Sequence, residues 1–211
     1  MMKFEFEKTK HARFKNEDGK ARPFDYAQGK LYFDYAATTP VDPRVLASMQ
    51  PYFSGKFGNP GSLHSFGQEA ITALDSSREH IAAAVGADFN NVVFTGSATE
   101  ANNLALRGLL KGLRIQNLGL RDSLNPQSSI LNPKIIISSI EHESILETAR
   151  DLEKEGVEVI VVGVNKCGVV NVKEVEQALD DRTILVSIMY ANNEIGTIQP
   201  IAEISKVIQN F

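Results

Sequence analysis

The chain has 211 residues, 43% hydrophobic and 23% charged, with a formal net charge of -4 and a pI near 5.6. That composition suits one globular domain with a sizeable core, and the acidic balance excludes a general nucleic-acid binder, which needs a basic footprint. No apolar run reaches the roughly 20 residues that span a bilayer, the N-terminus is charged from Lys3 onward with no secretory h-region, and the single cysteine, Cys167, excludes an intrachain disulfide framework.

These features predict a cytoplasmic protein with no membrane and no nucleic-acid partner. Residues 1–29 show neither period 2 nor period 3.6, and we expect a disordered extension there. Order is expected from residue 31, in a short strand-like run (LYFD). Asp42-Pro43 reads as a helix start, with Asp as N-cap and Pro at the first helical position. Leu46, Met49 and Phe53 follow at helical spacing. A loop covers residues 58–61 (GNPG), and a long helix is expected over 65–85 with Gly86 as its stop. Residues 91–95 (NVVFT) read as a short buried strand, and a helix begins near Thr99.

Residues 113–133 carry no clear amphipathic face and are expected to be an inserted surface loop. Beyond them the spacing predicts strands at 134–138, 157–162 and 183–189. Helices are expected on the face of Ile145, Leu146, Ala149 and Leu152, around Val172, Val175 and Leu179, and over 200–208. Near-continuous apolar strands alternating with helices predict an α/β fold, a mostly parallel sheet with flanking helices. Ligands in such sheets sit at the carboxyl ends of the strands.

Three polar segments follow expected strands. In residues 93–100 (VFTGSATE) a hydroxyl-rich turn runs into a helix start, where backbone N–H groups and the helix dipole favour an anion. The same Ser97-x-x-Glu100 is also an ordinary capping box. In residues 139–144 (SIEHES), His142 could stack on a flat cofactor and exchange protons, or simply cap or face solvent. In residues 190–196 (YANNEIG), an amide could donate to a phenolate or carboxylate. The alternative is an Asn-rich turn closed by Gly196. A parallel sheet would bring Thr99, His142 and Asn193 to one edge.

Residues 31–43 (LYFDYAATTPVDP), the GNP loop at 58–60, FTGSATE at 94–100, Glu141-His142 and NNEIG at 192–196 occur in the order and spacing of cysteine desulfurases. The chain resembles that family, which belongs to the class V aminotransferases on fold type I of the pyridoxal-phosphate enzymes, over residues 30–112 and 134–211. The resemblance implies an incomplete large domain over residues 30–211. It implies pyridoxal 5'-phosphate as cofactor, with Ala98 and Thr99 at its phosphate, His142 on its ring and as acid/base, and Asn193 at its phenolic oxygen. Residues 34–39 resemble the segment lining the active-site mouth. The intact family removes sulfur from L-cysteine, giving alanine and an enzyme persulfide for iron–sulfur cluster or thiolation pathways. A homodimer and an iron–sulfur scaffold or sulfur-acceptor protein are the implied partners.

Two departures accompany the resemblance. The family's usual Ser-Gly-Ala-Thr order is here Gly96-Ser97-Ala98-Thr99, and a turn needing positive φ at its second position would suit Ser97 poorly. The family's Schiff-base lysine, in a Ser-x-His-Lys context, its pyridinium-binding Asp and its persulfide-forming Cys match nothing in this chain. Cys167 falls in a loop before a short helix and reads as an incidental thiol. The expectation is a truncated, inactive fragment. A non-catalytic partner-binding module, a selenocysteine lyase or an aminotransferase are the alternatives.

Overall fold

A computed structural model describes residues 33–117 and 132–211 of the chain, which divides into two units, Met1–Pro40 and Val41–Phe211. The extension expected at 1–29 lies outside the described residues, as do 118–131 of the expected insertion. In the first unit, the Asp34 carbonyl accepts from the amides of Ala37 and Thr38 at 3.1 and 3.4 Å. That turn uses the backbone a strand would need, and Phe33 and Asp34 are not in one.

The second unit is built on three parallel strands: β1 (Lys134–Ser138), β2 (Glu158–Val162) and β3 (Thr183–Ser187), in the order β2-β1-β3. Six α-helices accompany them among the described residues: α1 (Pro43–Met49), α2 (Ser65–Val85), α3 (Ala98–Asn117), α4 (Glu143–Lys154), α5 (Val172–Ala178) and α6 (Ile201–Asn210). The central strand reads KIIIS because both of its faces are covered, and all five residues are buried. Side chains alternate along a strand. Ile135 and Ile137 therefore pack with Leu106 and Leu110 of α3 and with Ile145, Ala149 and Leu152 of α4. Ile136 points the other way, to Val162, Val170, Val175 of α5 and Ile204 of α6.

Local capping fixes the helix ends. Asp42 Oδ1 accepts from the Arg44 amide at 2.8 Å, with Pro43 in the first turn. The Arg44 guanidinium lowers the exposed Asp42 carboxyl to about 2. Helix α2 stops at Gly86, whose φ of +68° is the left-handed conformation glycine adopts without strain. Its first turn is set by two close backbone approaches. A Cβ at Gly67 would lie 2.2 Å from the Ser62 carbonyl oxygen, and one at Gly58 would lie 2.2 Å from that of Phe66.

Two sequence expectations need correction here. Residues 91–95 are not a strand: Phe89–Asn91 is a 3₁₀ turn, and Val93 and Phe94 are 66% and 47% exposed. An apolar run becomes a strand only when a neighbouring backbone completes its ladder, and none does so among the described residues. Arg78 of α2 holds the segment instead, donating to the Val92 carbonyl at 3.2 Å with its guanidinium 5.1 and 5.5 Å from the ring centres of Phe89 and Phe94. Residues 113–117 of the expected loop are helical instead, since α3 continues to Asn117 and no Gly or Pro falls among those five. The helical spacing of Leu46, Met49 and Phe53 is met, with the first two in α1 and Phe53 in the 3₁₀ turn Gln50–Phe53, and all three are exposed.

An ion network ties the strand starts together. Lys134, 5% exposed, lies 2.8 Å from Asp180, and Arg182 bridges Asp180 and Glu158 at 2.8 and 2.6 Å. Lys134, then Arg182, hold the Asp180 carboxyl well below the usual carboxylate range. A carboxyl that is a stronger acid when folded stabilises the fold above its unfolded pKa, and this is lost as pH falls through the folded value. Thermal midpoints of the wild type and Asp180→Asn should therefore differ most near neutral pH. They should converge as pH drops below about 4; a constant gap down to the most acidic pH would contradict this role.

Candidate functional site

The turn before α3 is closed by its own side chains. Ser97 Oγ accepts from the Glu100 amide at 3.1 Å, and Glu100 Oε2 accepts from the Gly96 amide at 2.7 Å. Thr95 Oγ1 donates to the Ser97 carbonyl at 2.9 Å, and that carbonyl also accepts from the Ala101 amide at 3.1 Å. Ser97 caps the helix, and Glu100 reaches back one residue past the cap, a displaced form of the capping box. It uses the amides of Gly96 and Glu100 and leaves those of Ala98 and Thr99, with the Thr99 hydroxyl, as exposed donors at the start of a 20-residue helix. Among the described residues only Asn132 is a non-glycine with positive φ, so Ser97 sits in the turn without backbone strain.

His142 leaves β1 after a short turn and caps α4. Its Nδ1 accepts from the Ser144 amide at 3.1 Å and meets Ser144 Oγ at 2.9 Å. Capping and availability coexist, because the exposed ring keeps Nε2 and its faces clear of that bond. Ser144 Oγ accepts from Asn102 Nδ2 of α3 at 2.8 Å, and Thr148 of α4 donates to Asn103 Oδ1 at 3.1 Å. The N-terminal halves of α3 and α4, which carry Thr99 and follow His142, are thereby bonded to each other.

The loop after β3 is a tight turn. Ala191 bridges Ile198, the Asn192 amide donates to the Thr197 carbonyl at 2.9 Å, and Gly196 adopts φ +71°. Asn192 Oδ1 accepts from the amides of Glu194 and Ile195, both at 2.9 Å. The Asn-rich turn closed by Gly196 is therefore real, and it is the first Asn that builds it. Asn193 is exposed, and no hydrogen bond engages its side chain among the described residues.

Sequence reasoning left Glu141 without a role. It is 8% exposed, and its Oε1 accepts from Ser138 Oγ at 2.6 Å and from the Met189 amide at 2.7 Å. Asn192 Nδ2 returns a bond to the Ile140 carbonyl at 3.1 Å. These bonds join the His142 loop to the Asn193 loop. An acid three residues past an apolar strand and beside a histidine was the available signal. Buried Gln199 docks the Cys167 loop on the same turn, accepting from the Val170 amide and donating to the Gly168 carbonyl, both at 2.8 Å. Cys167 itself is exposed. No cluster of His, Cys, Asp or Glu able to hold a metal occurs among the described residues.

The donor set suits a phosphorylated aromatic cofactor: free amides and a hydroxyl at a helix start, an imidazole with open faces, and a free amide donor. The sequence model for the family described as Aminotransferase class-V matches residues 31–211. The chain is 43% identical over 180 residues to the putative cysteine desulfurase IscS 1 of Bacillus subtilis (strain 168), covering 85% of this chain and 44% of that protein. Against the mitosomal cysteine desulfurase of Trachipleistophora hominis the identity is also 43%, covering 84% of this chain and 38% of the relative. A solved NifS-like protein superposes with a TM-score of 0.74 at 37% identity, over 85% of this chain and 45% of that one. A structure of SspA in complex with cysteine gives 0.70 at 38% identity, over 85% and 47%. The chain thus spans less than half the length of these relatives.

Proposed function

Because the chain belongs to the class-V aminotransferase family, we propose that it forms the phosphate, ring-face and phenolic side of a pyridoxal 5'-phosphate site that acts on L-cysteine. The observation that carries this reading is the pair of open donors at Ala98 and Thr99, left free by a capping box that takes their neighbours. Their amides and the Thr99 hydroxyl hold the phosphate oxygens, aided by the α3 dipole. His142 lies against the ring and holds or passes a proton at Nε2, since Nδ1 is committed to Ser144. Asn193 donates its side-chain amide to the phenolic oxygen. When bound, the cofactor supplies an electron sink for the substrate amine's carbon.

In the overall reaction the sulfur of cysteine passes to a thiol, so that cysteine and R–SH give alanine and R–S–SH. The anchoring lysine and the accepting thiol are assigned to no residue of this chain, and neither Lys134 nor Cys167 stands in for them. Lys134 is buried against Asp180 at the opposite ends of the strands. The reading carries a second copy of the protein and a sulfur acceptor, such as an iron–sulfur scaffold, as partners in a reducing cytoplasm.

Titrating the 211-residue chain with pyridoxal 5'-phosphate and with pyridoxal tests this. We expect pyridoxal 5'-phosphate to bind far more tightly than pyridoxal. Borohydride reduction and mass spectrometry should label no single lysine stoichiometrically, and no sulfide should be released from cysteine. Equal binding of the two compounds would sink the phosphate assignment. A stoichiometric label with sulfide release would show that the chain carries its own anchor and nucleophile.

A further inference from the structure

We propose that Glu141 is a positioning residue that locks the His142 loop to the Asn192–Asn193 loop, so that the groups assigned to the ring face and the phenolic oxygen move as one body. The ligand in this inference rests on the cofactor reading above; the geometry rests on buried hydrogen bonds. Strands β1 and β3 last pair at Ile137 and Ser187. Beyond that pair β1 turns away, and the Met189 amide loses its ladder partner. Glu141 replaces the missing strand: its Oε1 takes the Met189 amide at 2.7 Å and the Ser138 hydroxyl at 2.6 Å. Asn192 Nδ2 crosses back to the Ile140 carbonyl at 3.1 Å.

The two loops are therefore stapled in both directions, each by the residue directly before a proposed site residue. Glu141 precedes His142, and Asn192 precedes Asn193. A buried and satisfied polar network of this kind rigidifies its surroundings, whereas one with a member removed leaves donors unpaired. Both bonds to Glu141 end on one oxygen, so a glutamine amide oxygen can accept both and a leucine can accept neither.

The test compares Glu141→Gln, Glu141→Leu and Asn192→Ala with the wild-type chain. It reads Met189 amide exchange and the dissociation constants of pyridoxal 5'-phosphate and inorganic phosphate. For Glu141→Leu we expect faster Met189 exchange and pyridoxal 5'-phosphate weakened roughly tenfold, the size of one lost hydrogen bond. Inorganic phosphate, held at Ala98 and Thr99, should be unchanged. Glu141→Gln should restore both readings, and Asn192→Ala, which cuts the staple from the other loop, should reproduce the split between the two ligands. Equal weakening of both ligands, or a glutamine variant as impaired as the leucine one, would overturn the lock. If the wild type binds no pyridoxal 5'-phosphate, the cofactor reading falls and Met189 exchange decides the lock alone.

Discussion

Replacing Ala98 by proline is expected to weaken pyridoxal 5'-phosphate binding by about ten- to a hundredfold while leaving helix α3 intact. Ala98 is the first residue of α3, directly after the capping Ser97. Proline is favoured at that position, where its fixed φ suits the helix and its missing N–H costs no helical bond. The restriction it places on the preceding residue, toward extended conformations, is one N-caps ordinarily satisfy. What proline removes is one of the two open amides of the turn. A hydrogen bond to a charged group contributes about 1.5–3 kcal/mol, which sets the size of the loss. Circular dichroism should show unchanged helix content, and the affinity for pyridoxal, which has no phosphate, should not move. An unchanged affinity for the phosphorylated compound would mean that its phosphate sits elsewhere.

The largest expected loss of stability is at Ile136. Its side chain is 0% exposed and meets both Val175 of α5 and Ile204 of α6. Truncation to alanine removes buried methyl groups and leaves a cavity, a change of about 2–5 kcal/mol. Against a total of roughly 5–15 kcal/mol, that is a large share. Urea unfolding should show a lower midpoint with an unchanged slope. Val161, 54% exposed on edge strand β2, is the control. Alanine there should shift stability by no more than about 0.5 kcal/mol. Similar losses at the two positions would mean that the sheet is not covered on both faces.

What could be read from the sequence followed the range of the interactions involved. Helix α2 was legible from Ser65 to Gly86 because its periodicity and its glycine stop are local. The strand KIIIS was legible because burial on both faces leaves an unbroken apolar run. Residues 91–95 carry a similar short apolar run but no ladder partner among the described residues, and composition cannot report a partner. The site shows the same divide. Ser97-x-x-Glu100 was recognisable as a capping box, and the open donors follow from it by subtraction. The contact from Glu141 to Met189 spans 48 residues and leaves no periodic trace. Within the Asn pair, spacing could not tell the residue that builds the turn from the one left free; only the bonds of Asn192 to Glu194 and Ile195 separate them.

The GNPG loop and the first turn of α2 are inheritable only as a cassette. At Gly58 and Gly67 each backbone occupies the space a Cβ on the other segment would need, and the Asn59 carbonyl oxygen also lies 2.8 Å from the Cβ position of Gly67. Any chimera assembled from two relatives must therefore take residues 58–67 from a single parent. A crossover inside that stretch brings together a loop and a helix that were never fitted to one another.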